Sequence, residues 1–185
     1  LVSSVELEFY VDGIKRDDLG STVNETAVLT IDADVDYSIR TNTAGFAVQV
    51  IPFRSAAEGG NVDLDITLIP RGDVITISGA GSFGEEGNDG AAVSFTTSDF
   101  VDANGHPVVG DIQLSITPVD VSQPATLAAF PGEFTGILES DGTQTPIVSF
   151  GTVEYEFTAN GESINLAPGA TADVLIPIYS FTYQD

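Results

Sequence analysis

The sequence predicts an all-β protein built from antiparallel strands, and three observations support this. Apolar residues alternate with polar ones along many short runs, whereas the 3.6-residue period of an amphipathic helix is nearly absent. Turn signals recur about every 8–12 residues, a spacing typical of β-sandwiches. Apolar residues make up 42% of the 185 residues and no Cys is present, so the core must form without disulfides.

The N-terminal part contains four alternating runs, each with an apolar side and a polar, mostly acidic side. We expect one face of each strand to be buried and the other to be solvated. The first run stops at Asp12-Gly13, a dipeptide that favours a hairpin turn. The runs are Val5–Val11, Val35–Ile39, Phe46–Val50 and Val62–Leu68.

Further strands are predicted in the second part, separated by turns such as Asn104-Gly105 and Asn160-Gly161. The Gly-rich, acidic segment Gly79–Gly90 is predicted to be a loop. Gln123–Phe130 is the one stretch that favours a helical turn. The predicted strands are Val74–Ile77, Val93–Phe95, Ile112–Ile116, Val153–Phe157, Ile164–Leu166 and Val174–Ile178.

This number of strands exceeds the seven of a single immunoglobulin-like sandwich. The simplest division lies near Pro70–Asp73 and gives one module at residues 1–72 and a second at 73–185. Few linker-like residues separate the two parts. We therefore expect two small antiparallel β-sandwich modules in rigid tandem.

The charge balance restricts the partners and the setting of the protein. Five Lys and Arg against 28 Asp and Glu give a formal charge of −23. Five cations cannot form a surface that follows nucleic-acid phosphates, so nucleic-acid binding is excluded. Self-repulsion would be relieved in a saline environment or by bound calcium, while a simpler reading is that acidity keeps a secreted protein soluble. Each reading places the protein outside the cytoplasm.

Calcium is the ion that the acidic loops would take, although no cofactor is required by the sequence. The candidate ligands have carboxylate or amide oxygens, which Ca²⁺ prefers, but their spacing does not match an EF-hand loop. Solvated acidic loops are the alternative interpretation. The six candidate metal ligands are Glu85, Glu86, Asp89, Asp99, Asp102 and Asn104.

Catalysis is not expected. His106 is the only His and lies in a predicted turn, without the G-x-S-x-G motif that would place a nucleophilic serine in an α/β-hydrolase. Carboxylate pairs arise from composition alone among 28 acids, and Trp, a common sugar platform, is absent. Arg71-Gly72-Asp73 is the tripeptide that integrins bind, but a chance match explains it.

Four segments of the second part share a pattern with a known group of modules. The segments are DFVDANGHPVVGDIQLSITPVD (Asp99–Asp120), FPGEF (Phe130–Phe134), VSFGTVEYEF (Val148–Phe157) and NLAPGATADVLIPI (Asn165–Ile178). Their pattern resembles the β-sandwich module of bacterial surface proteins that is distantly similar to the zona-occludens/netrin-receptor-type domain. Upstream, YSIRTNTAGFAVQV (Tyr37–Val50) is similar to carboxypeptidase-regulatory, transthyretin-like modules. The resemblance implies exported structural modules without catalytic activity.

The chain has no Met, even at position 1, so we expect a mature product or a piece of a longer protein. The expected function is that of a non-catalytic structural or adhesive module of an exported multidomain bacterial protein. Its partners would be neighbouring domains of the same polypeptide and a surface glycan or protein, without membrane insertion. The alternative is a carbohydrate- or peptide-binding module accessory to an exported enzyme. Its candidate aromatic contacts are Tyr10, Phe53, Tyr179 and Tyr183.

Overall fold

The computed structural model describes residues 4–19, 21–23, 26–127, 135–137, 140, 143–146 and 149–179. These residues form sixteen strands, one α-helical turn, α1 (Pro124–Leu127), and two 3-10 turns, Asn88–Gly90 and Thr97–Asp99. Each of the strand pairs is antiparallel. The all-β, antiparallel class predicted from the sequence is therefore confirmed.

Close contacts divide the chain into two compact units. Unit 1 comprises residues 1–69 and 123–149, and unit 2 comprises residues 70–122 and 150–185. The first crossing between units lies within three residues of the expected boundary at 72/73. The expected second module, 73–185, differs from unit 2 because the contacts group 123–149 with unit 1. Turn and linker residues in the sequence indicate where the chain passes from one unit to the other. They do not show that the chain later returns to the first unit.

Unit 1 is organised around one five-stranded sheet in which β1 is central. Strand β1 pairs with β4 on one side and with both β2 and β3 on the other, and β4 pairs with β5. A separate hairpin, β11–β12, belongs to the same unit. The strands of unit 1 are β1 Val5–Val11, β2 Ile14–Lys15, β3 Ser21–Val23, β4 Asp36–Thr41, β5 Gln49–Arg54, β11 Thr135–Ile137 and β12 Gln144–Pro146.

The core of unit 1 lies on one face of this sheet. Alternation along β1 and β4 places Leu7, Phe9, Tyr37 and Ile39 on that face, where they are buried together with Leu19. The Tyr37 ring stacks on Phe53 with ring centroids 5.5 Å apart. The Asp12-Gly13 turn between β1 and β2 has positive φ angles of 50° and 76°, as the predicted hairpin requires.

Unit 2 contains three sheets. The largest has the order β14-β13-β10-β6, a second has the order β16-β8-β7, and β9 pairs with β15. The strands are β6 Val74–Ile77, β7 Ser82–Glu86, β8 Ala92–Thr96, β9 Phe100–Val101, β10 Ile112–Val119, β13 Thr152–Ala159, β14 Glu162–Ser163, β15 Asn165–Leu166 and β16 Asp173–Leu175.

One apolar core joins these sheets. Leu114 of β10 and Val93 of β8 are almost completely buried in the same cluster, although they belong to different sheets. Phe95, Phe100 and Phe157 form its aromatic centre, with ring centroids 4.7–5.5 Å apart. Such aromatic contacts contribute beyond the area they bury, so the three rings fix how the sheets pack.

Two sequence predictions of local structure are wrong. Gly79–Gly90 is not entirely loop, because β7 crosses it and pairs with β8, where Phe83 stacks on Phe95. Cross-strand packing of one aromatic residue outweighs the low strand propensity of its neighbours. Val62–Leu68 forms no strand, since alternation selects a face without supplying a pairing partner. Ile66 still packs on the core of unit 1.

The predicted helical turn in Gln123–Phe130 is present as α1, although Phe130 lies outside the described residues. The helix α1 has four residues, far too few to cross a bilayer. The described part of the chain contains no helix that is long and apolar enough to do so.

Candidate functional site

Two of the candidate metal ligands, Glu85 and Glu86, lie on β7 rather than in a wrapping loop. They pair with Val93 and Ala92 of β8, respectively. Successive side chains of a strand point to opposite faces, so the two carboxylates diverge. A single ion therefore cannot be held by both side chains in this conformation.

Asp89 occupies a tight turn that follows β7. It is the central residue of the 3-10 turn Asn88–Gly90 and has a φ of 56°, a value that Asp tolerates better than most residues. Its Oδ2 accepts a 3.0 Å hydrogen bond from the Tyr179 hydroxyl. Burial raises the pKa of Tyr179, and the hydrogen bond to Asp89 adds to this effect. The carboxylate thus attaches the segment after β16 to this turn.

The second candidate loop is organised by Asp102. Its Oδ1 accepts hydrogen bonds from the backbone N–H groups of Asn104 and His106, both at 2.8 Å. These backbone bonds, that of His106 first, lower the pKa of the Asp102 carboxyl below its usual range. The bonding pattern is that of an Asx turn, which stabilises the loop by itself. Asp102 therefore has a structural role that needs no ion.

The six candidate ligands lie in separate local settings: strand β7, the turn at Asp89, a turn ending at Asp99, and the loop of Asp102 and Asn104. Within the described ranges, no group of three or more His, Cys, Asp or Glu side chains is placed to hold a metal ion. The structure does not bring these residues together as a preformed calcium site. Calcium binding remains a hypothesis.

His106 is a surface residue. Its side chain is 75% exposed, and Nδ1 lies 3.3 Å from Asp102 Oδ2. A histidine acting as a general base would also need a nucleophile or a substrate proton within hydrogen-bonding distance. The hydrogen bonds of His106 in the structure all go to Asp102 of its own turn.

The positive charges form a pattern that the sequence alone did not reveal. Each of the five Lys and Arg residues of the chain lies within 4.0 Å of a carboxylate. Because the cations are neutralised within the molecule, the rest of the charged surface is almost uniformly negative. The five ion pairs are Lys15–Glu8, Arg16–Asp18, Arg40–Glu8, Arg54–Asp36 and Arg71–Glu156, and Arg16 also contacts Asp32.

Glu8 is the centre of this pattern on the polar face of the unit 1 sheet. Its carboxylate contacts Lys15 Nζ at 2.6 Å and accepts a 3.0 Å hydrogen bond from the Tyr10 hydroxyl. Arg40, its direct cross-strand partner, lies 4.0 Å away. The hydrogen bond from Lys15 is the main reason that the pKa of Glu8 is lowered.

The Arg71-Gly72-Asp73 tripeptide is not presented as an integrin-binding loop would be. Arg71 Nε lies 2.9 Å from Glu156 Oε2, and both side chains are only 21% exposed. The Gly72 N–H donates a 3.0 Å hydrogen bond to Thr117 Oγ1. A Cβ on Gly72 would overlap the carbonyl oxygen of Ile116, so the glycine is required for close packing on β10.

The aromatic residues considered for glycan binding do not form a platform where they are described. Tyr10 and Phe53 belong to opposite faces of the unit 1 sheet, and Phe53 packs on the core. Tyr179 is half-buried against Gly151 and bonded to Asp89. Tyr183 lies outside the described residues.

The outer strand β16 presents the feature that sequence reasoning missed. It pairs with β8 and lies at the end of its sheet. The Tyr155 hydroxyl lies 2.8 Å from the Leu175 carbonyl oxygen and 3.0 Å from that of Ala92, which links β13 to both strands. The apolar side chains of this segment nevertheless remain exposed: Val174 53%, Leu175 60%, Ile176 48% and Ile178 60%.

No protein-family model matches the chain, and neither the curated proteins nor the solved structures give a significant match.

Proposed function

We propose that the chain is a non-catalytic structural or adhesive element of an exported multidomain bacterial protein, built from two β-sandwich modules in rigid tandem. The observation that carries this proposal is the presence of two separate apolar cores, one in each unit. A core of its own is what lets each unit fold as a module, and a spacer is built from such modules.

Chain connectivity supports mechanical coupling between the units. The polypeptide crosses between them after residues 69, 122 and 149, so three peptide connections join them. A single linker leaves neighbouring modules free to reorient, whereas three connections restrict their relative motion. Rigid coupling is what a spacer that transmits force requires.

The acidic surface supports a location outside the cytoplasm. With all five cations paired, the formal charge of −23 is distributed over an almost uniformly negative surface. Such a surface favours solubility and disfavours self-association in a crowded, salt-containing environment. The resemblance of the sequence to bacterial surface modules points in the same direction.

Coupled unfolding provides the test of this function. Leu114 is completely buried in unit 2, and Leu114→Ala should destabilise that unit by about 2–5 kcal/mol. If the units act as one mechanical body, amide-exchange protection in β1 and β4 of unit 1 will fall in the same variant. Val109→Ala, at an 80% exposed position of unit 2, is the matched control.

Unchanged protection in unit 1 in the Leu114→Ala variant would contradict the rigid spacer. A specific hydrolytic activity of the purified wild-type chain that His106→Ala abolishes would contradict the non-catalytic part of the proposal.

A further inference from the structure

Strand β16 and the residues after it form an exposed apolar edge, defined here as Asp173–Ile178 and called the β16 edge. On one side β16 is paired with β8. Among the described residues, no strand pairs with its other side. An unpaired strand edge offers its N–H and C=O groups to another extended chain, so proteins normally shield such edges.

The side chains of the β16 edge are unusual for a solvated strand. Val174, Leu175 and Ile176 are consecutive and each is about half exposed, so apolar surface is present on both faces of the strand. Scattered single apolar residues on a surface need no explanation, whereas a contiguous exposed run marks an interaction site. The exposed Ile178 extends the run.

The segment is held in a strand conformation before any partner arrives. The Leu175 carbonyl oxygen is 2.8 Å from the Tyr155 hydroxyl, and the Tyr179 N–H donates a 2.8 Å hydrogen bond to the Phe150 carbonyl. Asp89 holds the Tyr179 side chain from a third segment. A preorganised edge loses little conformational entropy on binding, which favours the addition of a strand.

The negative charge of unit 2 indicates that the binding partner of the β16 edge is basic. Its described residues, 70–122 and 150–179, carry twelve Asp or Glu and one Arg, and twelve against one gives a formal charge of −11. That single Arg71 is already paired with Glu156. A second copy of this chain would bring the same negative charge to the edge, whereas a basic strand would be attracted.

We propose that the β16 edge binds an extended basic peptide segment, in which Lys or Arg alternates with aliphatic residues, by adding it as a strand beside β16. Main-chain hydrogen bonds to residues 173–176 would provide affinity, and contacts with the exposed aliphatic side chains would set the register. Pro177 has no N–H, so it limits the pairing to this short stretch. The inference is independent of the spacer role, which does not use this edge.

The experiment uses a fluorescein-labelled octapeptide of alternating Lys and Val, titrated against the full chain in about 150 mM salt, where long-range attraction is largely screened. We expect the anisotropy of the labelled peptide to rise to saturation and amide exchange at residues 174–176 to slow. The same peptide with Glu in place of Lys should bind at least tenfold more weakly. A Lys–Val peptide with alternate backbone nitrogens methylated should also bind at least tenfold more weakly, because it cannot form all the main-chain hydrogen bonds with β16.

Charge reversal on the protein separates this site from general attraction to an acidic surface. Ile176→Lys should weaken binding of the Lys–Val peptide at least tenfold and strengthen binding of the Glu–Val peptide. An unfolded variant could not show this gain in affinity. Val109→Lys adds the same charge at another exposed position of unit 2 and should change neither affinity by more than about twofold.

Equal effects of Ile176→Lys and Val109→Lys would overturn the proposed site. Full binding by the methylated peptide would overturn strand addition. A dimer of the unliganded chain at neutral pH, abolished by Ile176→Lys, would overturn the choice of occupant in favour of a second copy.

Discussion

The Tyr155 hydroxyl provides the sharpest test of how the sheets of unit 2 are held together. It projects from β13 and lies 3.0 Å from the Ala92 carbonyl oxygen and 2.8 Å from that of Leu175. Ala92 and Leu175 are register partners on β8 and β16, so one side chain links three strands of two sheets. Burial also raises the pKa of this tyrosine.

Tyr155→Phe removes only the hydroxyl and keeps the ring that packs on the core. The bond to Ala92 is only part-buried and the bond to Leu175 is exposed, so removing the hydroxyl should cost about 0.5–1.5 kcal/mol, the net contribution of an ordinary hydrogen bond. With a urea slope of about 2 kcal/mol per M, the unfolding midpoint should fall by about 0.25–0.75 M. Circular dichroism follows the transition, because the chain has no Trp.

The matched control is Tyr10→Phe, which also removes a hydroxyl, here one that bonds to Glu8 on the polar face of unit 1. Its midpoint should move by less than about 0.25 M, because the Glu8 carboxylate keeps its 2.6 Å contact with Lys15 when the Tyr10 hydroxyl is removed. Equal shifts for the two variants would refute the argument that Tyr155 is a special link between the sheets. Amide exchange should also accelerate selectively in β16 of the Tyr155→Phe variant.

Three further predictions concern Gly72 beside β10, the ion pairs of Glu8, and calcium binding. Gly72→Ala should destabilise by about 1–3 kcal/mol because its Cβ would overlap the Ile116 carbonyl oxygen, whereas Gly84→Ala, which meets only the Ser94 hydroxyl at 3.3 Å, should be nearly neutral in chemical denaturation. Glu8 has a folded pKa below the ordinary 4.5, so its stabilising effect is fully present above that pH and is lost as pH falls through the folded value. The melting temperature of Glu8→Gln should therefore lie below that of wild type at pH 7, and the difference should disappear as the pH falls through the folded pKa of Glu8, while Glu6→Gln, at an exposed position of the same strand, should melt like wild type at pH 7. Calcium and magnesium at equal concentration should raise the melting temperature equally through screening; a calcium-specific rise lost in Asp89→Asn would show a coordinated ion.

The sequence was sufficient to predict the strands whose own side chains decide their structure. Alternation identified β1, β4, β10 and β13, because one face of each is buried in a core. Asp12-Gly13 and Asn160-Gly161 identified two hairpin turns, since all four residues have the positive φ angles that these dipeptides tolerate.

Features decided by partners distant in sequence could not be predicted in this way. Ser115 and Thr117 alternate as outward-facing residues of β10, yet both are at most 3% exposed. Thr117 accepts a hydrogen bond from Gly72, which lies 45 residues away. Periodicity assigns a side chain to a face of a strand, but it does not report what packs on that face.

The candidate calcium ligands illustrate the same difficulty. Composition suggests that acidic loop residues will gather around an ion, but each carboxylate can instead bond to its own loop, as Asp102 does. Glu85 and Glu86 were predicted in a loop and lie on a strand, which turns neighbouring side chains apart. Proximity in sequence therefore did not become proximity in space.

The acidity and the exposed β16 edge are physically connected. An apolar strand edge invites pairing with an identical edge, and like charge on both partners opposes this. The connection makes a prediction: when pH falls towards about 4, where carboxylates begin to protonate, repulsion decreases and the chain should dimerise through this edge. Sedimentation velocity should show monomer at pH 7 and dimer near pH 4. Ile176→Lys places a charge on the pairing surface and should remain monomeric at both pH values, whereas Val109→Lys should behave as wild type. Dimerisation of Ile176→Lys at low pH would mean that another surface associates, and the acidity would then have no particular relation to the β16 edge.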